Sequence, residues 1–205
     1  MQAWLAGLMC IALAGLPGML FAGAPLDTVK RNVDSVLQIL RDPKLQGESG
    51  RKVKEQKIEA IVDQLFDYVE LSKRTLGLNW NTFTIEQRKE FVQLFRSVLK
   101  DTYIDRVTTY SNEQITFIKE VPLSDTAFEV QAVVTTKSGQ IPVSCRVIRE
   151  GAEWKVYDVV IEGVSLVNNY RTQFREILAN NPPEKLLEIL REKPGTLSST
   201  LPRRS

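Results

Sequence analysis

The chain contains no histidine. That removes Ser-His and Cys-His nucleophiles, His-ligated metals, histidine proton shuttles and histidine pH switches in one step. Cysteine is nearly absent as well. Cys10 lies in the first apolar stretch and Cys145 far downstream, so the pair is no disulfide framework. There is no excess of either charge: 27 Lys and Arg face 25 Asp and Glu, a formal net charge of +2. A nucleic-acid or polyanion binder would gather positive charge on one face, and none is gathered here. No internal repeat is present. With 43% hydrophobic and 25% charged residues, the 205-residue chain has an ordinary globular composition and the length of one domain with a real core.

The one long apolar run is at the start. Residues 5–16 read LAGLMCIALAGL, break at Pro17-Gly18 and reach the small residues Ala22, Gly23 and Ala24. This describes a secretory leader, residues 1–24, cut near Ala22 or Ala24. The alternative is a membrane anchor over residues 5–21, at the short limit for a span. No Lys or Arg precedes the run, a departure from the leader pattern. Met9 before Cys10 does not suit lipoprotein processing, so Cys10 is expected to leave with the leader. Cys145 then reads as a small apolar side chain on a strand, since no histidine exists to activate it.

Beyond the leader, apolar residues recur at helical spacing over residues 26–40 and again over 51–67, where Ile58, Ile61, Val62, Leu65 and Phe66 share a side. A short helix over 68–76 should stop at Gly77. Thr84 and Gln87 have capping-box spacing, and Phe91, Phe95, Val98, Leu99, Tyr103 and Val107 follow as one stripe of a helix ending near Tyr110. The period then becomes two. Residues 114–121, 128–136, 141–150 and 154–161 read as four strands joined by short turns, an antiparallel meander. Helices over 166–180 and 183–193 close the domain, residues 25–193, before a frayed tail over 194–205. The class is α+β, with about six helices gathered on one sheet. Val133, Val147, Ile148, Val159, Val160 and Ile161 put apolar groups on both faces of parts of that sheet. Either helices cover both faces, or one face bounds an apolar space.

Asp158 and Glu162 are the carboxylates closest to an acid–base pair. On an extended strand their spacing is roughly 13 Å, too far for mutual tuning, so both are assigned to structure. Gly163 is expected to permit the turn from strand to helix and Ser165 to cap that helix. Aromatic residues at helical spacing are core residues first, although facing an apolar sheet they could line a cavity.

Two stretches resemble a known family. Leu76-Gly77 with Trp80, then Thr84-Ile85-Glu86-Gln87-Arg88 and Phe91, Phe95, Leu99, Tyr103 and Tyr110, is similar to the helical half of the MlaC family, also called toluene-tolerance auxiliary proteins. Trp154, Tyr157, Asp158 and Glu162-Gly163-Val164-Ser165-Leu166 resemble that family's hallmark at the exit from the sheet. The resemblance covers essentially the whole mature chain. It implies a periplasmic phospholipid carrier without catalytic residues, cofactor or metal. The implied fold is a twisted four-stranded sheet and helices around an apolar pocket, an NTF2-like cone. The implied partners are phospholipid, an outer-membrane lipoprotein–porin complex and an inner-membrane ABC transporter with an MCE-domain ring. The protein would act as a monomer and bind no nucleic acid, in a pathway that maintains outer-membrane lipid asymmetry. A hopanoid or another apolar lipid is the alternative cargo.

Physics suits such a carrier. Each methylene exposed to water costs about 0.8 kcal/mol, so a two-chain lipid of roughly 30 methylenes faces more than ~20 kcal/mol if it crosses unshielded. From faces and position, Phe95, Leu99, Tyr103, Val130, Ala132, Val160, Val164, Leu166 and Tyr170 are the candidate lining. Two competing readings stand beside the carrier. One is an enzyme with Asp158 as base and Tyr157 as donor in a small closed cavity. The other is a periplasmic adaptor with a filled core that binds proteins alone.

Overall fold

Proline at the first helical position and a two-part cap set the helical half of the chain in place. A computed structural model describes residues 24–109 and 113–192; the expected leader, the tail and the end of the long helix at Tyr110 lie outside the described residues. Pro25 opens α1 (Pro25–Arg41), where its missing N–H is no loss. A 3-10 turn, Pro43–Leu45, reverses the chain into α2 (Glu48–Leu65). At Gly50 a Cβ would meet the Leu45 backbone carbonyl carbon at 2.5 Å, so the side-chain-free position lets α2 lie directly on that turn. After α3 (Tyr68–Leu76), a 3-10 segment over Gly77–Thr82 leads to α4 (Ile85–Thr108). The capping box is formed: Gln87 N donates to Thr84 Oγ1 at 3.2 Å and Thr84 N to Gln87 Oε1 at 2.8 Å.

The sheet follows as β1 (Gln114–Ser124), β2 (Ala127–Thr136), β3 (Gly139–Glu150), β4 (Glu153–Ile161) and β5 (Val164–Ser165), in spatial order β1-β2-β3-β4-β5 with every neighbouring pair antiparallel. The meander therefore has five strands, not the four expected. Glu162 and Gly163 both have positive φ, 52° and 83°, and fold the chain into a two-residue hairpin turn that pairs Ile161 with Val164 and Val160 with Ser165. A strand of two residues is too short to show a period. α5 (Leu166–Leu178) and α6 (Pro183–Glu192) complete an open α+β arrangement of six α-helices among the described residues.

The two faces of the sheet are unlike. β2 and β3 pair Val130 with Cys145 and Phe128 with Val147, and β4 adds Val156 and Val159 to the same face. There Val29 of α1 joins Val130, Val147, Trp154 and Val156 in one buried cluster. A bulge at Tyr157, where Arg146 pairs with Asp158 but Val147 with Val156, turns Asp158 to the opposite face. That face is ionic: Arg146 bridges Glu129 and Asp158, each at 3.1 Å.

A second cluster lies among α3, α4, α5 and α6. Phe91, Phe95, Tyr170 and Phe174 are fully buried, with Phe95 5.0 Å from the Tyr170 ring and 5.3 Å from the Phe174 ring, both edge-on. Leu71, Leu99, Leu186, Leu187 and Leu190 are among the aliphatic residues packed around them. Phe66, half-buried at the end of α2, touches both clusters and forms a parallel bridge to Val156. Phe95→Ala is expected to destabilise the fold by roughly 3–5 kcal/mol, the usual cost of emptying a packed aromatic site; urea unfolding with an unchanged m-value would check it.

Candidate lipid-binding site

The space between the two clusters is not filled. A slot of 280 Å³ runs beneath the seam of α2 and α4 and reaches β4 and the start of α5. Its α2 wall is Ile58 and Val62, four residues apart and so on one side of the helix, continued by Phe66 just past the helix end. Leu99, Tyr103, Ile104 and Val107 form the α4 wall; Val159 and Ile161 form the floor, and Leu166 closes one side. Two larger depressions, of 590 and 580 Å³, lie elsewhere. The first is lined mainly by polar groups, among them Thr28, Arg31, Asn32, Gln64 and Lys155; the second lies along the outer side of α1 by Asp34, Arg41 and Asp42. The first is polar and the second, though it includes Leu37 and Pro43, is shallow and open, whereas the smaller slot is enclosed by apolar side chains on several elements.

The lip of the slot is charged. Glu59 and Asp63 of α2 face Arg96 and Lys100 of α4. Arg96 Nε donates to Asp63 Oδ1 at 2.7 Å and its Nη2 to Asp63 Oδ2, a two-point fork, while Nη2 also reaches Glu59 at 3.0 Å. Lys100 Nζ bonds Glu59 at 3.2 Å, and further along the seam Arg51 bonds Asp105 at 2.9 Å. Burial, then the neighbouring Asp63, pushes the Tyr68 phenol up; burial, then Tyr170, does the same for Tyr103.

The nine residues expected to line a pocket separate into three groups. Leu99, Tyr103 and Leu166 border the slot. Phe95, Tyr170 and Val130 are at most 1% exposed and pack within the two clusters. Ala132, Val160 and Val164 are half-buried on the sheet, outside the lining. Helix geometry explains the first division. A stripe that advances by four residues drifts about 40° per step on a helix of 3.6 residues per turn. Phe91 and Phe95 thus face the aromatic cluster, whereas Leu99, Tyr103 and Val107 rotate towards the slot. On β4 the bulge decides: Val159 and Ile161 share the slot face, and Val160 shares the face of Asp158. Ile58, Val62 and Phe66 were visible as an apolar stripe on α2 but carried no sign of facing empty space.

The hallmark residues serve architecture. Trp154 meets Phe128 edge-on at 5.3 Å, and Tyr157 lies 4.0 Å beneath the Arg74 guanidinium. Asp158, 1% exposed, accepts hydrogen bonds from Ser165 Oγ at 2.6 Å, Val167 N at 3.0 Å and Arg146 Nη1 at 3.1 Å. Ser165 Oγ in turn accepts from Asn168 N at 3.0 Å, so it caps α5. Glu162 and Gly163 make the turn that delivers them. Neither Asp158 nor Tyr157 borders the slot. Among the described residues no group of three or more Cys, Asp or Glu is placed to hold a metal ion, and no helix is long and apolar enough to cross a membrane.

A family model described as MlaC protein matches residues 30–192. The chain belongs to the MlaC family. Among MlaC-type relatives, the intermembrane phospholipid transport system binding protein MlaC of Haemophilus influenzae is 30% identical over 117 residues, 53% of this chain and 55% of that protein. The chain thus aligns to about half the length of that relative. The toluene tolerance protein ttg2D of Pseudomonas putida is 25% identical over 176 residues, 84% of this chain and 82% of its own. A phospholipid-binding protein from Ralstonia solanacearum, solved in complex with a phospholipid, superposes with a TM-score of 0.73 at 28% identity, covering 86% of this chain and 99% of that one.

Cys145 sits on the slot-side face of β3, and burial, then Asp158, pushes its thiol up to about 12. A maleimide at pH 8 is expected to leave Cys145 unmodified in the folded protein and to label it after urea unfolding, as peptide mass mapping would show. Rapid labelling of the folded protein would contradict this raised thiol pKa.

Proposed function

We propose that this MlaC-family protein is a carrier that takes up phospholipid by its hydrocarbon tails and moves it across the periplasm. The observation that supports this most is the slot: apolar walls from α2, α4 and β4 around unfilled space, in a chain that superposes on a phospholipid-bound relative. In this reading residues 25–193 are one lipid-binding unit, and an NTF2-like cone is the arrangement of the open sheet and its covering helices. The leader directs export. Lipid is exchanged with an outer-membrane lipoprotein–porin complex and an inner-membrane MCE-domain ABC transporter, by a monomer without chemical catalysis.

Direct tail contacts are assigned to Leu99, Tyr103 and Leu166 together with Ile58, Val62, Val159 and Ile161. Phe95, Tyr170 and Val130 support the walls from behind, while Ala132, Val160 and Val164 shape the sheet and its hairpin. The task needs no polar specificity inside. Enclosing hydrocarbon recovers about 25 cal/mol for each Å² of apolar surface removed from water, which suffices to hold a tail and still permits release. The volume of 280 Å³ lies just below the ~300–1,000 Å³ typical of small-molecule sites, so a two-chain lipid requires the walls to part.

Native mass spectrometry of the protein purified from its periplasm is expected to show about one diacyl phospholipid per chain. A ligand-free mass, together with no uptake from phospholipid vesicles, would sink the carrier reading. Val62→Trp should fill the slot and lower uptake about tenfold, equivalent to ~1.4 kcal/mol of lost binding, without lowering the thermal midpoint. Uptake equal to that of the unaltered protein would move the tail-binding site elsewhere.

A further inference from the structure

We propose that Arg96 and Lys100 are the residues that bind the lipid's phosphate, and that Asp63 and Glu59 are the partners they exchange for it. This rests on the carrier reading and adds to it a head-group site and a way in, along the α2–α4 seam.

An amphiphile in the slot must leave its head where the cavity meets water. The slot is apolar except along one lip, and the cations among its described lining residues are Arg96 and Lys100. Arg96 already presents its fork, Nε and Nη2 together, to a two-oxygen anion, the Asp63 carboxylate. A phosphodiester offers the same pair of oxygens to the same fork. Lys100, one turn on, supplies a second donor on the same side of α4.

The exchange is cheap because the lip is wet. Side-chain exposures are 39% for Arg96, 43% for Lys100, 34% for Asp63 and 25% for Glu59. Ion pairs this exposed contribute little net stability, and a carboxylate released from one returns to water, not to a buried, unpaired state. The same pairs tie α2 to α4 across the slot, and Ile58 and Val62 of α2 face that slot. A phosphate that takes Arg96 from Asp63 therefore loosens the lip at the moment tails need width beneath it.

The test is uptake by the full chain from vesicles containing either phosphatidylglycerol or diacylglycerol with the same acyl chains. The unaltered protein should favour the phospholipid about two- to fivefold per engaged cation. Arg96→Gln with Lys100→Gln should erase that preference and retain diacylglycerol uptake. Glu59→Gln with Asp63→Asn, which removes the competing anions and loosens the lip for any tail, should raise phospholipid uptake more than diacylglycerol uptake and so widen the preference. Thermal melts of both variants identify any loss caused by unfolding, and the carboxylate variant keeps the assignment testable if the cation variant fails to fold. Equal uptake of the two lipids by the unaltered protein, or an undiminished preference in the cation variant, would overturn the phosphate site while leaving the carrier intact. Inorganic phosphate bound at the lip without any lipid preference would assign the pair to a soluble anion and overturn it too. Uptake of neither lipid would overturn the carrier reading and this site with it.

Discussion

Holding hydrocarbon walls apart without filling the space between them is the constraint on which this architecture depends. An apolar void costs on the order of 24 cal/mol per Å³, several kcal/mol for a slot of this size, and the surrounding chain is drawn to collapse into it. Three attachments fix how α2 lies over β4. Gly50 seats its start on the Pro43–Leu45 turn, Phe66 ties its end to Val156, and the Arg96 and Lys100 ion pairs hold its outer edge to α4. Behind the opposite wall, the Phe91, Phe95, Tyr170 and Phe174 rings leave no room for inward movement. The cavity is thus a product of dense packing around it.

Local sequence signals located the elements well because each signal is a local physical event. The Thr84–Gln87 box, the Gly77 stop and the change of period after α4 mark real boundaries. The site was less legible because it depends on orientation between elements. Phe95 and Leu99 belong to one stripe of α4 and one packed cluster, yet a 40° drift leaves Phe95 wholly inside it and brings Leu99 to the edge of the slot. On β4, alternation cannot reveal a bulge, so Val160 read as equivalent to its neighbours when Tyr157 had already changed the parity. Ile58 and Val62 looked like any amphipathic face, because a period reports that a side is sheltered and not what shelters it.

The family-like segment from Trp154 to Leu166 shows how a set of polar residues can resemble chemistry and perform construction. The Asp158 carboxylate is 1% exposed and engaged by a hydroxyl, a backbone amide and a guanidinium. Its work is to join the last long strand to α5. The join sets the height of Leu166 beside the slot, so a buried polar network fixes the position of an apolar wall.

That network also divides the molecule mechanically. Arg146 staples β2 to β4 through Glu129 and Asp158, and Asp158 clamps the head of α5, so floor and side wall form one stiff plate. The roof is fastened along its outer edge by hydrated charges. Compliance is therefore lopsided: the slot widens by lifting α2, its roof, while the plate beneath keeps its register.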